Sequence, residues 1–87
     1  MPTVWIPAIL RHLTGDRESV PAAGATVREL IDSLEAQHPG IKERLCRDDY
    51  LRPGLAVVID TQVSREGLSA VVQPNSEVHF IPAVSGG

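Results

Sequence analysis

Two hydrophobic periods alternate along the chain and divide it into short segments. Thr3-Val4-Trp5-Ile6 is a β-rich run halted by Pro7. Ile9, Leu10 and Leu13 continue it loosely, and Thr14-Gly15-Asp16 is a turn signal. Arg17-Glu18-Ser19-Val20 then returns as the second strand of a hairpin, and Pro21 to Ala25 connects it to the clearest helix. Thr26 suits the N-cap, and Glu29 three residues later completes a capping box. Val27, Leu30, Ile31 and Leu34 recur at helical spacing and make one apolar stripe, while Arg28, Glu29, Asp32, Glu35 and Gln37 cover the other side. The spacing predicts a helix over 26–37, stopped by His38-Pro39-Gly40. A short second helical segment is expected from Ile41 to Leu45, with both of those residues turned inward.

The second half of the chain reads as strands and turns. Asp48 to Gly54 is a polar loop with Pro53. Leu55-Ala56-Val57-Val58-Ile59 is a buried strand, Asp60-Thr61-Gln62 turns it, and Val63 begins a short return. Further turns fall at Glu66-Gly67-Leu68 and Gln73-Pro74-Asn75-Ser76, before a last strand, Glu77-Val78-His79-Phe80-Ile81. The order is hairpin, helix, strand, short return strand, final strand. One main helix must then cover one face of a mixed sheet in an α+β domain. The simplest compact arrangement places the last strand beside the first, in the sheet centre. That is the β-grasp, or ubiquitin-like, fold, expected over residues 1–82.

The residues beyond the last strand carry the chemistry. Pro82-Ala83-Val84-Ser85 leads to Gly86-Gly87. Two glycines offer no side chain to bury and lose much backbone entropy on ordering. They suit an arm that presents an α-carboxylate to another protein's active site. Five extended residues from Ala83 reach about 17 Å, so residues 83–87 are expected to form a flexible tail able to thread a narrow tunnel. A frayed glycine end is the plain alternative, and only the elements upstream distinguish the two.

Composition narrows the class. The chain has 87 residues, which sets one domain and one core. Aromatics are limited to Trp5, Tyr50 and Phe80, so that core is aliphatic. The net charge of -3 and the scarcity of stacking residues argue against nucleic-acid binding. Cys46 is the single cysteine, so no intrachain disulfide forms. Pro2 after Met1 reads as a native start. There is no basic-then-apolar leader and no apolar run near about 18 residues, which predicts a cytoplasmic chain without a membrane partner.

These residues resemble the sulfur-carrier proteins of the MoaD/ThiS type over the whole length. The resemblance rests on the element order, on Ala25-Thr26-Val27-Arg28-Glu29-Leu30, on Ala56-Val57-Val58-Ile59-Asp60 and on the ending from Glu77 to Gly87. Within the family, Ile6-Pro7-Ala8-Ile9-Leu10-Arg11 and Pro82-Ala83-Val84 look most like the carrier that feeds a cysteine synthase. The molybdopterin-synthase small subunit usually has a second proline where this chain has Ala83. Another departure is Asn75-Ser76, where the family commonly has Gly-Asp; asparagine tolerates positive φ, so the turn is expected to survive.

The resemblance implies a mechanism. A ubiquitin-activating-type adenylyltransferase and sulfurtransferase adenylates Gly87 with ATP that it binds itself. Sulfur then replaces the adenylate to give a thiocarboxylate, and an acceptor enzyme removes the sulfur. A cysteine synthase is the favoured acceptor, with the molybdopterin synthase large subunit or a thiazole synthase as alternatives, and tRNA thiolation as a further use. The chain would be a protein co-substrate rather than an enzyme, with no cofactor of its own. Two other classes remain open: a protein conjugator joining Gly87 to lysines, and a plain β-grasp binding module.

Period two also predicts a docking face. If Val4, Ile6, Val57, Ile59, Val78 and Phe80 face the helix, Trp5, Val58, His79 and Ile81 form one outward patch at the tail root. Pro82, Ala83, Val84 and Ser85 extend it toward Gly86 and Gly87. Other candidate chemistry is weak. Cys46 lacks a CxxC partner and reads as a structural thiol. His12, His38 and His79 have no ligand spacing with one another or with Cys46, so no metal site is expected. Asp48-Asp49 reads as a solvated loop pair, Ser85 has no evident base, and no glycine-rich phosphate loop follows a strand.

Overall fold

The apolar stripe of Val27, Leu30, Ile31 and Leu34 is buried along α1 (Val27–Gln37) in the computed structural model, which describes residues 1–82. Thr26 caps the helix, its hydroxyl accepting the Glu29 N–H at 3.3 Å. The reciprocal bond falls one residue early. The Glu29 carboxylate accepts from the Ala25 N–H at 2.8 Å, so the residue before the cap takes the place it holds in the usual box. The connector passes close against this first turn at Gly24. A Cβ there would stand 2.7 Å from Glu29 Cβ, and the φ of +153° is itself one that side chains avoid.

A second helix, α2 (Ile41–Leu45), follows at once and buries Ile41 and Leu45. The strands in chain order are β1 (Thr3–Trp5), β2 (Ser19–Pro21), β3 (Cys46–Arg47), β4 (Tyr50–Leu51), β5 (Leu55–Ile59), β6 (Gln62–Ser64) and β7 (Glu77–Pro82). Five of them form the main sheet in the order β2-β1-β7-β5-β6. β1 and β7 are parallel, and every other neighbouring pair is antiparallel. The last strand therefore occupies the centre, as the element order predicts for a β-grasp. Its inward residues Val78 and Phe80 join Val4, Val20 and Val57 with the α1 stripe in a single, mainly aliphatic core.

Three segments differ from the sequence-based expectation. Ile9, Leu10 and Leu13 do not continue the first strand but lie on a 3-10 helix, Ala8–Thr14. Pro7 is the cause. Its ring fixes φ at -54° and ends the ladder, and its carbonyl accepts the Leu10 N–H at 2.8 Å to begin the turn. The expected loop from Asp48 is partly a two-stranded ladder, in which Cys46 faces Leu51 and Arg47 faces Tyr50. Asp48, at φ +57°, makes the tight reversal between them. At the third, Asn75 does not use the positive φ that an asparagine tolerates. Ser76 holds that turn instead. Its N–H donates to the Gln73 carbonyl, and its hydroxyl oxygen accepts the Gln73 N–H at 2.9 Å.

The same serine ties the turn to the β5–β6 hairpin. That hairpin turns through Asp60 and Thr61 alone, both left-handed at φ +48° and +75°, as a two-residue type I′ turn requires. A β-branched threonine is a poor choice there. The Asp60 carboxylate helps to fix the geometry, accepting the Glu77 N–H at 2.8 Å and the Ser76 hydroxyl at 2.7 Å. The Glu77 amide first, and the Ser76 hydroxyl second, hold the Asp60 carboxyl below its ordinary pKa. The hairpin is thus clamped to the first residue of the central strand.

Candidate functional site

Alternation along β7 leaves Glu77, His79 and Ile81 on the face away from α1, and the strand register carries that face across the sheet. Ser19, Trp5, His79, Val58 and Val63 stand opposite one another in one row crossing all five strands. Ile81 lies two residues further along β7, beside Ala56. Trp5, Val58, His79 and Ile81 are therefore brought together, as the period-two reading predicts. Ile81 is 38% exposed and Val63 62%, so the patch is accessible.

Its centre is fixed rather than loose. The indole of Trp5 and the imidazole of His79 are parallel within 1°, with centroids 5.5 Å apart, an offset stack between neighbouring strands. The indole N–H donates to the Glu77 carboxylate at 3.0 Å. Glu77 and Val63 belong to this face, and sequence reasoning misses both. Extending the alternation to the return strand would find Val63. Glu77 carries no signal, because a charged residue opening a strand is ordinary.

Pro82 ends β7 opposite Leu55 and is exposed. β1 has already ended at Trp5, beside His79, so Pro82 stands where only one neighbouring strand remains, a position that tolerates its missing N–H. The aromatic row, Ile81 and Pro82 thus lead in order toward the end of the chain. Ala83, Val84, Ser85, Gly86 and Gly87, assigned to the tail from the sequence, lie outside the described residues.

The remaining candidates do not converge. Cys46 follows α2 and is buried beneath a shallow hollow that Glu35, Lys42 and Asp48 also line. Burial pushes its thiol up, and the nearby Lys42 and Arg28 offset this only in part, so the thiolate needed for nucleophilic attack is disfavoured. Asp49 pairs with Arg28 at 3.7 Å on the surface. No cluster of three His, Cys, Asp or Glu side chains able to hold a metal occurs among the described residues. No helix among them is long and apolar enough to cross a membrane. The arrangement can bind a protein through an aromatic and aliphatic face.

Comparison with known proteins finds the same fold. The chain is 40% identical to the sulfur carrier protein CysO of Mycobacterium tuberculosis, over 98% of this chain and 97% of that one. A CysO complex with BexX from Amycolatopsis orientalis contains a chain of the same fold, with TM-score 0.91 and 43% identity over the full length of both. The small archaeal modifier protein 1 of Methanosarcina acetivorans superposes with TM-score 0.80 at 25% identity, covering 99% of this chain and 95% of that one. The model of the ThiS family matches residues 4–87, and the chain belongs to that family.

Proposed function

We propose that this protein is a sulfur carrier whose Gly87 carboxylate is activated and converted to a thiocarboxylate by partner enzymes, with cysteine biosynthesis as the sulfur's destination. The observation that carries the reading is the likeness to CysO over nearly the whole of both chains. The geometry supports it, since a partly exposed aromatic and aliphatic row crosses the central strand that leads toward Gly87. In this reading residues 1–82 are the docking body and residues 83–87 the arm that enters the partner. The partners are an adenylyltransferase with its sulfurtransferase activity, and then an acceptor enzyme; that a CysO forms a complex with BexX is consistent with a carrier that docks on another protein. All of these steps would take place in the cytoplasm.

The chemistry follows from the electronic nature of a carboxylate. It is a stable anion and a poor electrophile. Its oxygen attacks the α-phosphate of ATP held by the partner, and pyrophosphate leaves. The acyl adenylate then accepts a persulfide or sulfide sulfur at the carbonyl carbon, and AMP leaves with the bonding pair. When a persulfide is the donor, a reducing thiol cleaves the S–S bond to free the thiocarboxylate. The carrier supplies no base at any step. It contributes a body that docks and two residues without Cβ atoms next to the reacting carbon.

Activation is tested with the purified adenylating partner, by measuring AMP release and intact mass. The wild-type chain should gain about 16 Da as one oxygen is exchanged for sulfur. Gly87→Ala, or one residue added after Gly87 and verified by mass, should abolish both signals while thermal unfolding stays unchanged. Full sulfur transfer from the verified extended protein would refute the mechanism. Conjugation is a second reading, favoured by the likeness to the archaeal modifier. Lysine adducts in cell extract, in place of the thiocarboxylate, would select it.

A further inference from the structure

We propose that a cleft between the 3-10 helix Ala8–Thr14 and α2 is a second docking point, one that takes an acidic and aliphatic segment of the activating enzyme. The cleft encloses about 390 Å³. Its lining includes Ile9, Leu10, Leu45 and Leu55, together with Arg44 and Arg52. Leu55 pairs with Pro82 across the β5–β7 ladder, so the cleft opens beside the last described residue of the central strand. It is lined from the helical side of the sheet, whereas the Trp5–His79 row lies on the opposite face. A partner holding the tail root would meet both.

The chemistry of the cleft selects its occupant. Leu10 and Leu45 are buried at its base, and Ile9 is 81% exposed at its lip. An exposed isoleucine beside a hollow favours an aliphatic side chain that would cover it. Arg44 and Arg52 are both exposed, and among the described residues no carboxylate lines the cleft. The ion pairs among those residues are Arg28 with Asp49 and Lys42 with Asp32, so neither guanidinium is neutralised there. The chain as a whole carries -3, and this local positive patch runs against that sign.

Arg52 is also held in place. Its Nε–H donates to the Glu43 carbonyl at 2.7 Å, and its backbone N–H donates to the Leu45 carbonyl at 3.0 Å. The head group is thereby anchored to α2, the element that also carries Arg44. Two guanidiniums over an aliphatic floor match a carboxylate next to a branched apolar side chain, with bidentate bonding available at either arginine. A polyanion such as nucleic acid fits less well, because the net negative charge of the body would repel it beyond these two residues. A protein segment bearing one or two acidic residues is the occupant that fits.

This inference rests on the sulfur-carrier reading, and its test separates the two. The assay is AMP release by the purified activating enzyme, with the carrier as the varied substrate at low and high salt. With the double variant Arg44→Glu/Arg52→Glu, KM for the carrier should rise about tenfold. The kcat at saturation should stay within about twofold, and the salt dependence of KM seen with the wild type should flatten. Ile9→Ser should raise KM without changing the salt dependence. Thermal unfolding checks each fold, and the milder Arg44→Gln/Arg52→Gln pair replaces the reversal if that variant is destabilised. An unchanged KM in the folded variants overturns the cleft proposal while leaving the carrier reading intact. A lower KM also overturns it, since the cleft would then be competing for the chain's own terminal carboxylate. Absence of AMP release from the wild-type chain removes the carrier reading, and the proposal with it.

Discussion

The two faces of β7 differ in almost every physical respect, although they alternate along six residues of one strand. Val78 and Phe80 are buried under α1, at 0% and 4% exposure. Glu77, His79 and Ile81 point the other way, two of them engaged with Trp5 through a hydrogen bond and a ring stack. The inner face is secured by burial of aliphatic volume. The outer face is organised by directional contacts and still leaves apolar surface open. Buried core and open apolar surface therefore lie on opposite sides of one backbone, and a substitution should disturb one with little effect on the other.

The largest effect is expected on the inner side. Phe80→Ala should cost about 3–5 kcal/mol and Leu30→Ala about 2–5 kcal/mol, because both sites are closely packed and collapse poorly around a deletion. Chemical denaturation measures this directly. A loss below about 0.5 kcal/mol at Leu30 would place that residue outside the core.

On the outer side the same measurement should give a small change and a binding titration a large one. Ile81→Asp should leave stability within about 0.5 kcal/mol, yet weaken affinity for the activating or acceptor enzyme. Trp5→Asp should also weaken binding, and it forfeits about 0.5–1.5 kcal/mol from the lost ring stack. Unchanged affinity in both variants would leave the comparison without its functional half.

The smallest effect concerns the clamp at the start of β7. The Asp60 carboxyl is held below its ordinary pKa, so its contribution is present above the unfolded value and is lost as pH falls through the folded one. Asp60→Asn should therefore lower stability at neutral pH and make the acid unfolding limb less steep. The effect is modest because the carboxylate is solvent-exposed and screened. Parallel pH titrations of stability for the two proteins make the check, and identical acid limbs would dissociate the clamp from the carboxylate.

Most of the body is legible in the sequence because each long element carries its own period. Val27, Leu30, Ile31 and Leu34 can face one side only as a helix, and Val78 with Phe80 can do so only as a strand. The outward row emerges once β7 is placed in the centre, since register then fixes which residues stand abreast. Shorter elements escape for physical reasons. Cys46–Arg47 and Tyr50–Leu51 are too brief to show alternation. The 3-10 helix at Ala8–Thr14 depends on a single proline ending one hydrogen-bond pattern and starting another. Ser76 and Asp60 are distant in sequence, and their bond exists only after both hairpins close. The basic cleft is hidden in the same way. Arg44, Arg52 and Ile9 lie on three separate segments, and nothing in their spacing signals that folding gathers them.

The parallel pairing of β1 with β7 has a consequence for how the protein is made. Thr3 stands beside Glu77, so the sheet joins residues from opposite ends of the chain. Until β7 has been synthesised, β1–β2 and β5–β6 are two separate hairpins, each with an open edge and an apolar face. Two-stranded hairpins are marginal alone. Folding therefore waits for the last strand, and a chain truncated before Glu77 would present two incomplete half-sheets rather than one continuous sheet. In the proposed carrier, the strand that completes the sheet is also the one that leads toward Gly87.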